Sequence, residues 1–255
     1  MRVFSACAAL ALLCGCAGGG GPAPNAAVPS QAGTQMRTAR FDLFDSARGR
    51  LIPVVAYDRP AGGPPRRLAI INHGYGGRNT DYSFVARTLV AHGYYVASLQ
   101  HELPGDGPMP TTGEIYPARL PFWRRGAENI AFALRALHRR EPSLDTGHPL
   151  LMGHSNGGDM VMLFAREHPE DVDKVISFDS RRFPFPRSAR PAILSLRSAD
   201  QLADLGVLPS AEEQARYGMT VIRLPGTIHN DMLDGATDAQ KAEMNLWITR
   251  FLEAP

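Results

Sequence analysis

Short apolar runs alternate along the chain with longer segments in which apolar residues recur every three or four positions. Six runs are typical of strands buried on both faces of a sheet: residues 68–72, 94–99, 150–152, 174–178, 192–196 and 220–224. Four segments have the spacing of helices with one apolar face: residues 82–92, 122–140, 159–165 and 238–252. This alternation predicts one α/β domain with a mostly parallel sheet.

Two further strand-like segments precede the alternation. Residues 38–44 and 51–57 are separated by a polar turn at residues 45–50, which predicts an antiparallel hairpin at one edge of the sheet. A stretch rich in proline and glycine at residues 101–121 predicts a long loop before the second helix.

The most informative local motif is Gly153-His154-Ser155-Asn156-Gly157, which lies between an apolar run and a helical segment. A tight turn from strand to helix strains the backbone of its central residue and requires small residues on both sides, as Gly153 and Gly157 provide. The helix that follows directs unpaired N–H groups and a partial positive charge toward Ser155. The motif therefore indicates that Ser155 is a nucleophile whose oxyanion intermediate is stabilised.

Candidate partners for Ser155 follow the later strands. Asp179, Asp200 and His229 each follow one of the last three apolar runs. Active sites of open α/β sheets lie outside the carboxyl ends of the strands, so these side chains are placed where a site is expected. Among the eight histidines, His229 fits a general base best, because it follows the final strand and imidazole titrates near neutral pH.

The order of Ser155, an aspartate and His229 along the chain resembles the α/β-hydrolase superfamily, in particular its esterase, lipase and dienelactone-hydrolase-like members. The resemblance extends over residues 38–254, and its most specific parts are the Ser155 motif and the turn His73-Gly74-Tyr75-Gly76-Gly77. It implies the α/β-hydrolase fold, an eight-stranded, mostly parallel sheet with helices on both faces.

The resemblance also implies roles at the site. The backbone N–H groups of Tyr75 and Asn156 would form the oxyanion hole. The acid of the triad usually follows the seventh strand, which favours Asp200. A variant position after the sixth strand leaves Asp179 as the alternative acid.

Together these expectations describe a serine hydrolase that cleaves a carboxylic ester through an acyl-enzyme, with no metal ion or organic cofactor. A serine peptidase or a thioesterase would use the same residues, so both stay open as alternatives. A non-catalytic binding protein on the same scaffold is disfavoured because no member of the triad is missing. Residues 180–190 are too short and too rich in proline for a helical lid, which predicts no large cap domain and an open site for small or short-chain esters.

This short segment also carries four arginines: Arg181, Arg182, Arg187 and Arg190. Such a charged run is usually a solvated surface. Because guanidinium groups pair well with carboxylates, Arg181 and Arg182 are also candidates for binding an acidic group of the substrate.

The composition narrows the class of partner. A chain of 255 residues with a net charge of +2 suits one domain, predicted over residues 36–255, rather than two. No tract rich in lysine or arginine resembles a nucleic-acid footprint, so we expect a small-molecule ester as the partner and no nucleic acid. All three cysteines precede Ala17, which leaves this domain without a disulfide or a thiolate metal site.

The N-terminal residues predict export. One arginine followed by an apolar stretch too short to span a bilayer indicates a signal peptide over residues 1–15. It ends in Leu13-Cys14-Gly15-Cys16, which resembles a bacterial lipobox and predicts diacylation of Cys16. Cys14 stands where a small residue is usual, so plain signal cleavage is the alternative. With a flexible Gly/Ala/Pro tether over residues 16–35, we expect a periplasmic or outer-membrane lipoprotein anchored at the membrane through Cys16.

Replacing Cys16 with serine tests this anchor. Two or three acyl chains hold a protein stably at a membrane, so we expect the parent chain to sediment with membranes and the Cys16→Ser variant to be released or mislocalised. The Cys7→Ser variant is a matched control, because Cys7 would be removed with the signal peptide. Mass spectrometry that finds an unmodified N-terminus at Ala17 or later would contradict the anchor.

Overall fold

The computed structural model describes Met1, residues 36–60 and residues 66–254. The predicted signal peptide after Met1, the tether and Cys16 lie outside the described residues. The compact unit considered below falls within residues 31–255.

One sheet organises this unit. Its strands, in chain order, are β1 (Arg37–Asp45), β2 (Arg50–Asp58), β3 (Arg66–Asn72), β4 (Tyr94–Leu99), β5 (Leu144–His154), β6 (Lys174–Phe178), β7 (Ala192–Arg197) and β8 (Thr220–Arg223). The α-helices of the described residues are α1 (Ser83–Ala91), α2 (Ile115–Arg140), α3 (Asn156–Glu167), α4 (Ala211–Tyr217) and α5 (Asp238–Glu253). The eight strands lie in the order β1-β2-β4-β3-β5-β6-β7-β8.

The pairing of the strands confirms the predicted sheet. β1 and β2 form the antiparallel hairpin at one edge, and β2 pairs antiparallel with β4. The remaining pairs, from β4 to β8, are parallel. β3 lies beside β5 with Asn72 opposite Gly153, so the turn that contains Tyr75 and the turn that contains Ser155 leave the sheet side by side.

Helices cover both faces of the sheet, as expected. On one face, α2 and α3 contribute Trp123, Ile130 and Val161 to the apolar core. On the other face, α1 and α5 contribute Leu89 and Ile248. Strands covered on both faces need apolar side chains at successive positions, which explains why β3 and β4 read as continuous apolar runs.

Several elements differ from the sequence-based expectation. α2 begins at Ile115 rather than at residue 122 and continues through Pro121, although a proline inside a helix costs about 3 kcal/mol. Full burial of Trp123 one half-turn later offsets part of that cost. α4 was not expected, yet its capping box of Ser210 and Glu213 is visible in the sequence.

None of the helices in the described residues is both long enough and apolar enough to span a membrane.

The start of α3 packs directly on the end of β3. A methyl group at Gly157 would overlap the carbonyl oxygens of Asn72 and His73, and one at Gly153 would overlap the backbone of Gly157. Because the overlapping atoms belong to the backbone, no side-chain rotation can relieve the clash. These two glycines therefore allow the Ser155 turn to lie against the Tyr75 turn.

Substituting Gly157 with alanine should destabilise the fold by about 1–3 kcal/mol, because α3 must move away from β3. Urea unfolding of the full chain measures this change. Gly147→Ala is the matched control, since Gly147 is exposed in β5 and its nearest neighbouring atom leaves room for a methyl group. Equal stability of the two variants would show that α3 does not need this close approach.

Candidate active site

Ser155 lies at the turn between β5 and α3, in a backbone conformation that residues other than glycine rarely adopt. Its φ is 52° and its ψ is −119°. The Ser155 N–H donates to the Phe178 carbonyl at 2.7 Å, which ties the turn to the end of β6. The strain and the glycines around it confirm the tight strand–turn–helix geometry predicted for this motif, with the hydroxyl beside the N-terminus of α3.

The structure brings His229 to Ser155, as the sequence predicts. His229 Nε2 lies 3.1 Å from Ser155 Oγ, and His229 Nδ1 lies 2.5 Å from Asp179 Oδ2. An ionised carboxylate only accepts hydrogen bonds, so Nδ1 carries the proton and Nε2 can accept the proton of the serine hydroxyl. The three side chains thus have the arrangement of a Ser-His-Asp triad.

The preference for Asp200 as the partner of His229 is wrong, because the imidazole contacts Asp179, the alternative residue. Asp200 Oδ1 accepts the backbone N–H of His229 at 2.7 Å instead, so it holds the loop and not the ring. β6 is the neighbour of β5, which places Asp179 one strand away from Ser155. Asp179 also has a φ of 53°, so the backbone turns sharply there. This turn cannot be predicted from the apolar pattern of β6.

A full set of donors surrounds the buried carboxylate of Asp179. Oδ2 accepts the Ser198 hydroxyl at 2.7 Å, while Oδ1 accepts the Ser198 N–H at 3.2 Å and lies 2.8 Å from a guanidinium nitrogen of Arg197. Burial alone would raise the pKa of Asp179, but the hydrogen bonds from His229 and Ser198 and the charge of Arg197 together lower it. The carboxylate therefore stays ionised opposite His229.

Arg197 is a site residue that sequence reasoning missed. It is the last residue of β7 and is buried, and it donates to the Ser180 carbonyl at 2.6 Å as well as contacting Asp179. Burial lowers the pKa of Arg197, and Asp179 opposes that effect. The sequence does contain one indication of its role, because Arg197 is a charged residue at the end of an otherwise apolar strand.

The turn that contains Tyr75 is held by its own hydrogen bonds. Gly74 N–H donates to the Tyr82 hydroxyl at 3.2 Å, and Gly76 N–H donates to Glu102 Oε2 at 2.8 Å. The N–H of Tyr75 is not among the hydrogen-bonded donors of the part of the chain that the structure describes. The turn thus leaves the predicted oxyanion donor available while its neighbours are engaged.

The second predicted donor, the N–H of Asn156, is at the first residue of α3. The Asn156 side chain points elsewhere, because its Oδ1 accepts the indole N–H of Trp123 at 2.9 Å. This bond joins α2 to the residue after the nucleophile. Trp123 is therefore another positioning residue that the sequence did not reveal.

His154 and His73, which lie in the two turns, are buried and hydrogen-bonded. His154 Nδ1 lies 2.9 Å from the Tyr82 hydroxyl, and its ring lies 4.7 Å from that of His229. Burial lowers the pKa of His154 to about 3, so the ring beside His229 is neutral at physiological pH. His73 Nδ1 donates to the Gly74 carbonyl at 2.7 Å, and its Nε2 accepts the His101 N–H at 2.9 Å.

The segment at residues 180–190 is a strap bound to the body of the protein. Arg182 forms an ion pair with Asp204, and Arg187 pairs with Glu213 at 3.0 Å. Buried Asp159 Oδ1 accepts the N–H groups of both Arg182 and Phe183 at 3.0 Å. Burial raises the pKa of Asp159 to about 6. Of the two predicted anion-binding arginines, Arg182 is thus neutralised within the protein.

Arg181 donates only to the neutral Gln201 side chain among its partners in the described residues. Near the strap, Tyr116 stacks on Phe183 with ring centres 5.8 Å apart and meets Trp123 edge-on at 5.5 Å. This aromatic cluster leads from the strap to the Asn156 side chain.

The described part of the chain has no group of three His, Cys, Asp or Glu side chains that could hold a metal ion.

The chain resembles known proteins in sequence and in fold. A sequence profile of the family described as serine aminopeptidase, S33, matches residues 63–181. No curated protein matches the chain in sequence.

Solved structures share the fold. A ferulic acid esterase from Streptomyces cinnamoneus has a TM-score of 0.64 and 18% identity, over 89% of this chain and 91% of that chain. A dienelactone hydrolase-like promiscuous phosphotriesterase from metagenomic libraries has a TM-score of 0.62 and 18% identity, over 85% and 96%. A thermostable esterase from Pseudomonas putida has a TM-score of 0.61 and 15% identity, over 88% and 84%.

Exchanging each aspartate for asparagine separates the two candidate acids. A fluorophosphonate probe reports the reactivity of Ser155, and Asp179→Asn should slow labelling by about 10⁴-fold, because it no longer sets the tautomer of His229. Asp200→Asn is the matched control, since an asparagine oxygen can still accept the His229 N–H, and a much smaller decrease is expected. The reverse order of the two rates would return the role to Asp200.

Proposed function

We propose that this chain is a serine hydrolase of the α/β-hydrolase superfamily that cleaves a carboxylic ester through an acyl-enzyme. The observation that supports the proposal is the continuous contact from Ser155 through His229 to the buried carboxylate of Asp179. A hydroxyl activated in this way beside a helix N-terminus is suited to acyl transfer.

In the first half of the reaction, Ser155 Oγ attacks the ester carbonyl carbon while its proton passes to His229 Nε2. The carbonyl oxygen becomes an oxyanion, which accepts hydrogen bonds from the N–H groups of Tyr75 and Asn156. When the intermediate collapses, the C–O bond to the alcohol breaks and His229 returns the proton to the leaving oxygen. The acyl group is then bonded to Ser155 Oγ.

In the second half, His229 Nε2 takes a proton from water as the water oxygen attacks the acyl carbon. The bond to Ser155 Oγ breaks, Oγ receives the proton, and the carboxylic acid departs. Asp179 stabilises the imidazolium that forms twice in the cycle. Arg197 limits the cost of keeping the Asp179 carboxylate ionised in a buried site.

The match to a serine aminopeptidase family favours peptide cleavage as a second candidate function. An aminopeptidase must bind the free ammonium group of its substrate, which requires a carboxylate that is not already engaged. Near this site Asp179 holds His229, Asp204 pairs with Arg182, and Asp200 and Glu102 each accept a backbone N–H. An ammonium group would have to bind a carboxylate that already holds a loop, which favours an ester over a peptide with a free amino terminus.

The Ser155→Ala and His229→Ala variants test the proposal. Because the two side chains act as one unit, each substitution should lower kcat on p-nitrophenyl butyrate by about 10⁴- to 10⁶-fold.

The strap at residues 180–190 is not a lid, so acetyl to butyryl esters should react faster than dodecanoyl esters.

Circular dichroism of both variants serves as the folding control. Retention of activity by either folded variant would overturn the assignment of the nucleophile or the base. Faster turnover of leucine p-nitroanilide than of any p-nitrophenyl ester would select the peptidase instead.

A further inference from the structure

Arg119 is a buried arginine without an ion-pair partner among the described residues. Two arginines of the described residues are buried: Arg119, with 9% of its surface exposed, and Arg197, with 5%. Arg197 is neutralised by Asp179. In the described part of the chain, the hydrogen bond of the Arg119 side chain is from Nε to the Pro110 carbonyl at 2.8 Å, which leaves its terminal nitrogens available. These nitrogens are not among the buried unpartnered atoms of the described residues, so the end of the guanidinium group reaches solvent, where an anion can pair with it.

The face of α2 that carries Arg119 is the face that meets the site. Tyr116, Arg119 and Trp123 are three and four residues apart and so share one side of the helix. Trp123 donates to Asn156, the residue next to the nucleophile, and Tyr116 packs on Phe183 of the strap. Arg119 is therefore bracketed by two side chains that contact the surroundings of Ser155.

The charges around Arg119 are mainly those of the strap. Burial lowers the pKa of Arg119 first, and Arg182 and Arg181 lower it further, while Asp159 and Asp204 act in the opposite sense. Neither aspartate forms an ion pair with Arg119. Asp159 Oδ1 is occupied by two backbone N–H groups, and Asp204 is paired with Arg182.

Arg181, like Arg119, has no carboxylate partner among the residues that the structure describes. Its neighbours in the strap, Arg182 and Arg187, each have one. Arg181 instead donates to a neutral amide of Gln201, and its charge acts on both His154 and Arg197 of the site. The strap that carries Arg181 packs through Phe183 on Tyr116 of α2, three residues before Arg119, and the charge of Arg181 acts on Arg119.

We propose that Arg119 and Arg181 bind a carboxylate of the substrate, so that the preferred substrate is an ester carrying a second, ionised carboxyl group. This inference rests on the proposed esterase function. The planar fork of a guanidinium group pairs with both oxygens of a carboxylate, and a site partly removed from water strengthens that pairing. The half-exposed ring of Tyr116 would lie along the chain that joins the carboxylate to the ester.

A matched pair of esters tests the subsite: mono-p-nitrophenyl adipate, which is anionic, and its neutral methyl ester. We expect the parent chain to have the higher kcat/KM on the anionic ester. Arg119→Gln and Arg181→Gln should each lower kcat/KM about 10- to 100-fold more for the anionic than for the neutral ester, mainly through KM. Arg190→Gln is the matched control, because Arg190 is an exposed arginine of the same strap. Arg119→Lys, which keeps the charge but not the fork, should recover part of the preference.

Binding of free adipate to the Ser155→Ala variant, measured by calorimetry, tests the subsite without catalysis. Arg119→Gln in that background should weaken adipate binding by a similar factor. Equal kcat/KM on the two esters, or equal losses on both in Arg119→Gln, would overturn the proposal. If the parent chain cleaves neither ester, the esterase function fails, and adipate binding that does not depend on Arg119 would then overturn the subsite separately.

Discussion

The conformation of Ser155 is the constraint on which the rest of the site depends. A positive φ at a residue with a side chain costs of order 1–3 kcal/mol and persists only where the surroundings hold it. Here the surroundings are the end of β6, which accepts the Ser155 N–H, and the end of β3, which contacts Gly157 directly. β3, β5 and β6 are parallel neighbours inside the sheet, so all of these contacts lie together at their carboxyl ends. The strain therefore keeps the hydroxyl exposed toward His229 and beside the oxyanion donors.

Charge balance is the second feature that the structure explains. Burial of Asp179 favours the neutral form of its carboxyl group. Only the ionised form is certain to accept a hydrogen bond from Nδ1–H of His229 and so to keep the proton on that nitrogen. Ser198 and Arg197 offset that penalty with two hydrogen bonds and an ion pair. His154 stays neutral against the His229 ring, so it adds no like charge when the imidazolium forms. The polar groups around His229 are thus arranged before the substrate arrives.

The surroundings of the nucleophile come from distant parts of the chain. α2 reaches Asn156 through Trp123, and the strap reaches α3 through Asp159. The arginines of the strap and of the adjoining part of α2 differ in their partners. Arg182 and Arg187 hold the strap by pairing with carboxylates, whereas Arg181 of the strap and Arg119 of α2 have no carboxylate partner among the described residues. Arginines without carboxylate partners attract an anionic group and repel a cationic one. An ester with an anionic end therefore suits this site better than a peptide with a cationic end.

The sequence by itself determined the parts of this protein that depend on local pattern. Burial on both faces of the sheet requires continuous apolar runs, so the strands and the parallel sheet could be predicted, and the glycines around Ser155 identified the turn. His229 could be predicted from its place after the last strand. Tertiary structure alone decided between Asp179 and Asp200, because both follow apolar strands and only the order of the strands and the backbone turn at Asp179 select the one that meets the imidazole. It also decided the roles of Trp123, Arg197 and Arg119, since burial and the presence of a counter-ion depend on residues far away in the chain.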